Sequence, residues 1–266
     1  MKNKDLAAFY DRVYKKGERK HYTSLRLSGD KAPPAKDAVL KEIAWRGKTV
    51  LDAGCGAGEL AYLIAKKGAV HVFGIDFSSN AIQVAKTTYK APNLEFIHTD
   101  IAEFSNLKIL TGFDIICSLG TLEHVDRPLD ALRKFKRMLN PGGSIIITCP
   151  NWINPRGYML FMLKYLFDAK ITLADIHYFT PLEFDMFAKK LSMNLSWRTV
   201  EQEWGHGEKC IRDFERRLPN VFRDLPVKVD QKRISSFLSW LESHMAAYEK
   251  DSRHGGAVGL YHLRKR

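Results

Sequence analysis

Two carboxylates, Asp52 and Asp76, stand on either side of glycines at positions 54, 56 and 58. Glycines at alternate positions let a backbone approach a ligand closely, because no Cβ stands in the way. A dinucleotide turn reads Gly-x-Gly-x-x-Gly, or Ala at the last place. Here the order is Gly-x-Gly-x-Gly, and Glu59 follows. Asp52 adds a negative charge beside the loop, which disfavours a pyrophosphate and favours an ammonium or sulfonium group. Asp76 can accept hydrogen bonds from both hydroxyls of a ribose. The ligand that fits these residues is an adenosine with a cationic tail.

The surrounding elements can place those residues together. Thr49 to Leu51 is a short apolar run entering the loop. Glu59 to Lys67 is helical in pattern, with Leu60, Leu63 and Ile64 on one face, and Gly68 can stop it. Val70 to Ile75 reads as a second strand ending at Asp76. This is a β-loop-α-β unit of the kind that binds nucleotides at the carboxyl ends of parallel strands. Ser78-Ser79-Asn80 caps a helix from Ala81 to Lys90, and Asn93 to His98 is a third strand. The continuous apolar run Phe113 to Leu119 suits a strand buried on both faces. Pro128 opens a helix whose apolar face is Leu129, Leu132, Phe135, Met138 and Leu139. Asn140-Pro141-Gly142-Gly143 is a tight turn into a fifth strand, Ser144 to Cys149. Thr180-Pro181 starts a helix to Leu191, Leu195 to Val200 is a sixth strand, and residues 257–263 read as a seventh, antiparallel edge strand.

These residues resemble the first two motifs of the class I S-adenosylmethionine (SAM) dependent methyltransferases. The resemblance extends over about residues 48–200 and is close to the ubiquinone- and menaquinone-pathway group. It implies an α/β fold: a Rossmann-like, seven-stranded, mostly parallel sheet with an antiparallel last strand, helices on both faces and helical additions. It implies SAM as cofactor, held by Asp52, Gly54, Cys55, Gly56, Gly58, Asp76 and Phe77. By the same likeness Asp100 meets the adenine amino group, the Ile101 N–H meets the ring, and Ser118 and Leu119 face the methionine part. An N-terminal helical segment closes over the site in similar enzymes, which makes Tyr10 and Tyr22 candidates for lining it.

The resemblance also sorts acceptors. Enzymes that methylate exocyclic amines carry Asn/Asp-Pro-Pro-Tyr/Phe after the fourth strand, whereas this chain reads Ser118-Leu119-Gly120-Thr121. RNA cytosine enzymes need Pro-Cys there, and Cys117 follows Ile116. The expected reaction is methyl transfer to a small or medium-sized organic acceptor, most readily on oxygen. His124 and His177 are the candidate bases for a neutral hydroxyl.

Charge and composition bound the remaining readings. The net charge is +12, and residues 49–204 contribute none of it. The excess lies in residues 1–48 at +7 and 205–266 at +5. Such ends suit an anionic acceptor, nucleic acid or an acidic membrane surface. An RNA or protein methyltransferase using the basic ends is therefore the alternative, and a non-catalytic SAM-binding partner is a third class. No recognised RNA-binding module supports the alternative, and nucleic acid is not favoured. One domain is expected over 1–266: a lid at 1–47, a nucleotide-binding core at 48–200 with an insertion at 151–178, and a helical insertion plus last strand at 201–266. The stretch from Tyr158 to Phe167 is too short to span a bilayer. It suits a roof over the acceptor, a peripheral membrane contact or packing. Four widely spaced cysteines, without Cys-x-x-Cys and without a signal peptide, point to reduced thiols, no metal site and a cytoplasmic location. Nothing in the pattern sets an oligomeric state.

Overall fold

The computed structural model describes residues 34–104, 112–167, 175–201, 208–223 and 256–265, with single positions at 169, 171, 172, 232, 234, 235 and 239. Tyr10, Tyr22 and most of the expected lid lie outside the described residues. In chain order the elements begin with α1 (Pro34–Glu42), β1 (Thr49–Ala53), α2 (Glu59–Lys66), β2 (His71–Asp76), α3 (Ser79–Thr88), β3 (Leu94–His98) and α4 (Ile101–Phe104). They continue with β4 (Phe113–Leu119), a 3-10 turn (Leu122–His124), α5 (Pro128–Met138), β5 (Leu139–Pro150) and α6 (Pro155–Phe167). The last four are α7 (Pro181–Leu191), β6 (Met193–Val200), α8 (Glu208–Arg223) and β7 (Val258–Lys265).

The seven strands form one sheet in the order β3-β2-β1-β4-β5-β7-β6. β1 to β5 pair in parallel, and β7 runs antiparallel to both of its neighbours. The expected antiparallel last strand is present, but it is not at the edge: β7 lies between β5 and β6, and β6 is the edge. It pairs with Ser144 to Pro150 of β5 on one edge and with Met193 to Val200 of β6 on the other. Leu260, Tyr261 and Leu263 are fully buried, and a strand that buries consecutive residues needs cover on both faces.

Strand alternation divides the apolar runs between two cores. Leu51, Ile116, Ile145 and Ile147 face one cluster, with Leu132 and Phe135 of α5 and Phe184 of α7. Val50, Ile115, Cys117 and Ile146 face the other, with Val39, Leu60, Ile64 and Ile82 from α1, α2 and α3. α7 begins as its sequence indicates: the Glu183 carboxylate accepts the Thr180 N–H at 2.8 Å, and Thr180 Oγ1 accepts the Leu182 N–H at 3.2 Å. The Asn140–Gly143 turn is a break in register, since Phe113 pairs with Leu139 and Ile115 with Ser144.

A third apolar cluster lies apart from the sheet. Trp152, Leu160 and Leu163 pack there with Cys210, Ile211, Phe214, Leu218 and Val221, so α6 and α8 bury their apolar faces against each other. Leu160 and Leu163 of the 158–167 stretch therefore pack, with Met159 and Phe161 partly buried beside them, and Tyr158, Met162 and Phe167 remain exposed. Inside the joint, Asp213 is buried and receives Arg156 at 3.3 Å and Arg217 at 2.7 Å. None of the four cysteines is in a disulfide. Among the described residues no helix is long and apolar enough to cross a membrane.

Gly58 is fixed by packing. Its φ is +85°, and a Cβ there would lie 2.5 Å from the Phe96 ring and 2.8 Å from Ala85 Cβ. Gly47 has a similar φ of +76° but open space around it. Gly58→Ala is expected to cost roughly 2–4 kcal/mol, the backbone penalty plus overpacking, against about 1 kcal/mol for Gly47→Ala. Thermal or denaturant unfolding of the two variants checks this, and equal losses would contradict a packing origin.

Candidate active site

The carboxyl ends of β1, β2 and β4 open into a cavity of about 650 Å³. The turn after β1 forms its floor. Gly54 and Cys55 donate their N–H groups to the Ile75 carbonyl at 2.8 and 2.9 Å, and Gly56 donates to Asp76 Oδ2 at 2.9 Å. Asp76 Oδ1 accepts the Ser78 N–H at 2.8 Å. A carboxylate oxygen can accept more than one hydrogen bond, so these contacts do not bar a ligand hydroxyl. A side chain at Gly54 would run into the adjacent Thr121 side chain, and the φ there is +80°.

Asp52 is buried at the end of β1, and its Oδ2 has no hydrogen-bond partner among the described residues. Burial pushes its carboxyl up to about 7; Lys36 opposes this and Asp76 adds to it. Lys36 is itself bonded to the buried Glu59 at the start of α2. α1, which carries Lys36, is tied to the sheet through Glu42, which meets Arg198 at 3.0 Å and His262 at 3.2 Å.

The cavity gathers most of the residues singled out by sequence: Asp52, Gly54, Cys55, Gly56, Asp76, Phe77, Asp100, Ile101, Leu119 and His124 all line it. Three do not. Gly58 turns the chain into α2 and is held by Phe96 and Ala85, as described. Ser118 is fully buried within β4, because strand alternation turns it away from the side on which Leu119 meets the cavity. His177 lies behind the wall: its Nε2 is 2.9 Å from the Val125 carbonyl, and its ring stacks on Phe179. It holds the turn after β4 in place of facing an acceptor.

Several lining residues escaped the sequence reading. Lys36 and Thr121 arrive from elements whose approach is tertiary. α5 contributes Arg133, Lys134 and Arg137, with Arg127 just before it. Asp175, from the segment between α6 and α7, comes within 3.6 Å of His124 Nδ1. With Glu123, the three groups bring one polar atom each within 4.8 Å of one another. Burial pushes the Glu123 carboxyl up to about 8, and Asp175 adds to that; Cys149 Sγ lies 3.3 Å from Glu123 Oε2.

A glycine turn without side chains, an orphaned buried carboxylate oxygen and a second carboxylate one strand away make a receptor for an adenosine with a cationic tail, and the residues fit SAM. The fold and this cavity are of the kind expected for the class I SAM-dependent methyltransferases that the sequence resembles. A methyltransferase-domain family model matches residues 45–197, more than half of the chain, and the chain belongs to that family.

Its relatives include the mitochondrial ubiquinone biosynthesis O-methyltransferase of Dictyostelium discoideum. That protein is 32% identical over 115 residues, which are 40% of this chain and 36% of the relative. The ubiquinone biosynthesis O-methyltransferase of Alkalilimnicola ehrlichii is 32% identical over 155 residues, 56% of this chain and 62% of the relative. The match thus spans about one third to three fifths of these relatives. Among solved structures, a chain of a complex that contains the Haloferax volcanii Trm112 methyltransferase activator superposes with a TM-score of 0.63. It is 17% identical, and 96% of each chain is covered. That likeness is one of fold.

The sign of the Asp52 shift gives a test. A carboxyl raised from 3.8 to about 7 contributes stability below about pH 4, and this is lost as pH rises through 7. A cation beside it favours the ionised form, so SAM affinity is expected to weaken as pH falls below 7. Asp52→Asn should weaken SAM binding at pH 8 by roughly 10–100-fold, flatten its pH dependence and raise the melting temperature at pH 8. Calorimetry at pH 6, 7 and 8 with thermal unfolding reads all three, and an unchanged slope in the variant would show that Asp52 does not meet the cation.

Proposed function

We propose that the chain transfers the methyl group of SAM to an oxygen of a small or medium-sized organic acceptor. The observation that carries this is one cavity lined both by the nucleoside-type carboxylates Asp52, Asp76 and Asp100 and by His124. Its volume lies within the usual range of small-molecule sites. Bound there, SAM supplies a methyl carbon on a sulfonium, and the sulfur that leaves is neutral and needs no acid.

The chain's residues have three tasks. Asp76 and Asp100 are proposed to hold the ribose and adenine, and Asp52 to face the cationic tail. The cavity wall brings the acceptor oxygen into line, which lowers the barrier by fixing orientation. His124 takes the proton of a hydroxyl acceptor as the methyl group arrives.

The α5 wall supports an acceptor that carries an anionic group. Arg133 and Arg127 share Asp130, at 2.7 and 3.8 Å, and Lys134 and Arg137 extend the basic surface along the cavity. An acceptor carboxylate or phosphate would meet donors there at low desolvation cost. The basic N-terminal end on which an RNA or protein acceptor would rely lies almost wholly outside the described residues.

Incubation with methyl-labelled SAM and cell extract, followed by fractionation, tests the acceptor class. Label is expected in the small-molecule or solvent-soluble pool; label in RNA or protein would replace this reading with a macromolecular one. Asp76→Ala serves as the control. Losing two charge-assisted hydrogen bonds of about 1.5–3 kcal/mol each should weaken SAM binding at least ~100-fold and abolish labelling. Unchanged SAM affinity in that variant would remove the cofactor assignment.

A further inference from the structure

We propose that Asp175 is the positioning residue for His124: it holds the imidazole with the proton on Nδ1, so that Nε2 receives the acceptor's proton. This rests on the reading of His124 as the base. It assigns a part in the site to the segment between α6 and α7, which lies outside the nucleotide-binding strands.

The segment is stitched to the turn that carries His124. Ile176 and His177 both donate their N–H groups to the Glu123 carbonyl, each at 3.1 Å. The His177 ring reaches the Val125 carbonyl at 2.9 Å. The residues on both sides of His124 are therefore bonded to the residues that follow Asp175, and the two side chains face each other with little freedom. Their exposures are 13% and 14%. At 3.6 Å the contact is an ion-pair distance longer than a hydrogen bond; such contacts in unliganded sites tighten when the reacting groups are in place.

The neighbouring charges favour this division of labour. Glu123 on the same turn has its carboxyl pushed up by burial to about 8, so it carries its proton at neutral pH, and Cys149 of β5 lies beside it. Burial also raises the Asp175 carboxyl, but His124, Arg217 of α8 and Arg156 of α6 pull it back. Those arginines are held in turn by Asp213 of α8. Arg217 also donates to the Ile171 carbonyl at 3.0 Å, which secures the same segment further upstream. Of the two carboxyl groups beside His124, Asp175 is the one with cations behind it and an imidazole in front.

Nitrogen-15 NMR of the histidine ring tests the proposal without any acceptor, on EDTA-treated protein. In the wild-type chain, neutral His124 is expected as the Nδ1–H tautomer; an Nε2–H tautomer would overturn the proposal. In Asp175→Asn the titration midpoint of His124 is expected to move to lower pH, and in Asp175→Glu to return towards the wild-type value. A midpoint unmoved in a folded Asp175→Asn protein would equally overturn it. SAM affinity by calorimetry should stay within about twofold in both variants, because Asp175 does not reach the nucleoside end. Failure of the wild-type chain to bind SAM would instead defeat the methyltransferase reading, and leave the tautomer result to stand or fall separately.

Discussion

Asp76 accepts the Gly56 N–H on one oxygen and the Ser78 N–H on the other. A single side chain at the end of β2 thereby holds both the turn leaving β1 and the start of α3. The turn cannot be held by its own side chains, because three of its residues are glycines. The backbone there must take positive φ and leave room for a ligand. Everything downstream depends on that tie. It places Asp52 at the mouth of β1, aims α2 past Phe96, and sets the cavity against Thr121 and His124.

The second constraint is the cost of burying charge. Asp52, Glu59, Glu123 and Asp213 are all nearly inaccessible. A buried carboxylate must be paired or give up its charge. The chain uses both solutions. Asp213 is neutralised by two arginines and joins α6 to α8, and Glu59 is met by Lys36. Asp52 and Glu123 are raised instead, to about 7 and about 8. Asp213 holds α6 to α8, whereas Asp52 and the Lys36–Glu59 pair line the cavity and Glu123 lies next to the lining His124.

Much of this was legible in the sequence, for identifiable reasons. The strands of a doubly covered sheet are continuous apolar runs, and Phe113–Leu119 could be read as one directly. Acids at the carboxyl ends of such strands fall in series, so Asp52, Asp76 and Asp100 were found together. Three glycines in one loop looked equivalent, yet Gly54 and Gly56 border the cavity and Gly58 exists for Phe96. A histidine beside an insertion looked like a base, yet His177 is spent on a backbone carbonyl. Asp175 gave no signal, since its value lies in meeting a turn fifty residues earlier in the chain. The burial of β7 was written in Leu260-Tyr261-His262-Leu263, but its position between β5 and β6 is set by pairing on both edges, which no local pattern records.

The cavity is also electrically polar along its length, and this bears on how a ligand enters. Asp52, Asp76 and Asp100 stand at the nucleoside end, while Arg127, Arg133, Lys134 and Arg137 stand along α5. A cationic tail is drawn towards the first group and repelled by the second, and an anionic acceptor experiences the opposite. Within a partly desolvated site such fields are weakly screened. The two ligands would thus be sorted to their own ends before any specific hydrogen bond forms. His124 lines the same cavity, and the carboxyl of Glu123, next to it in the chain, is pushed up by burial to about 8. A second ionised carboxylate there would pull the cationic tail away from Asp52 and hold the imidazole protonated. With His124 as the proposed base, an uncharged Glu123 would serve orientation of the cofactor and readiness of that base at once.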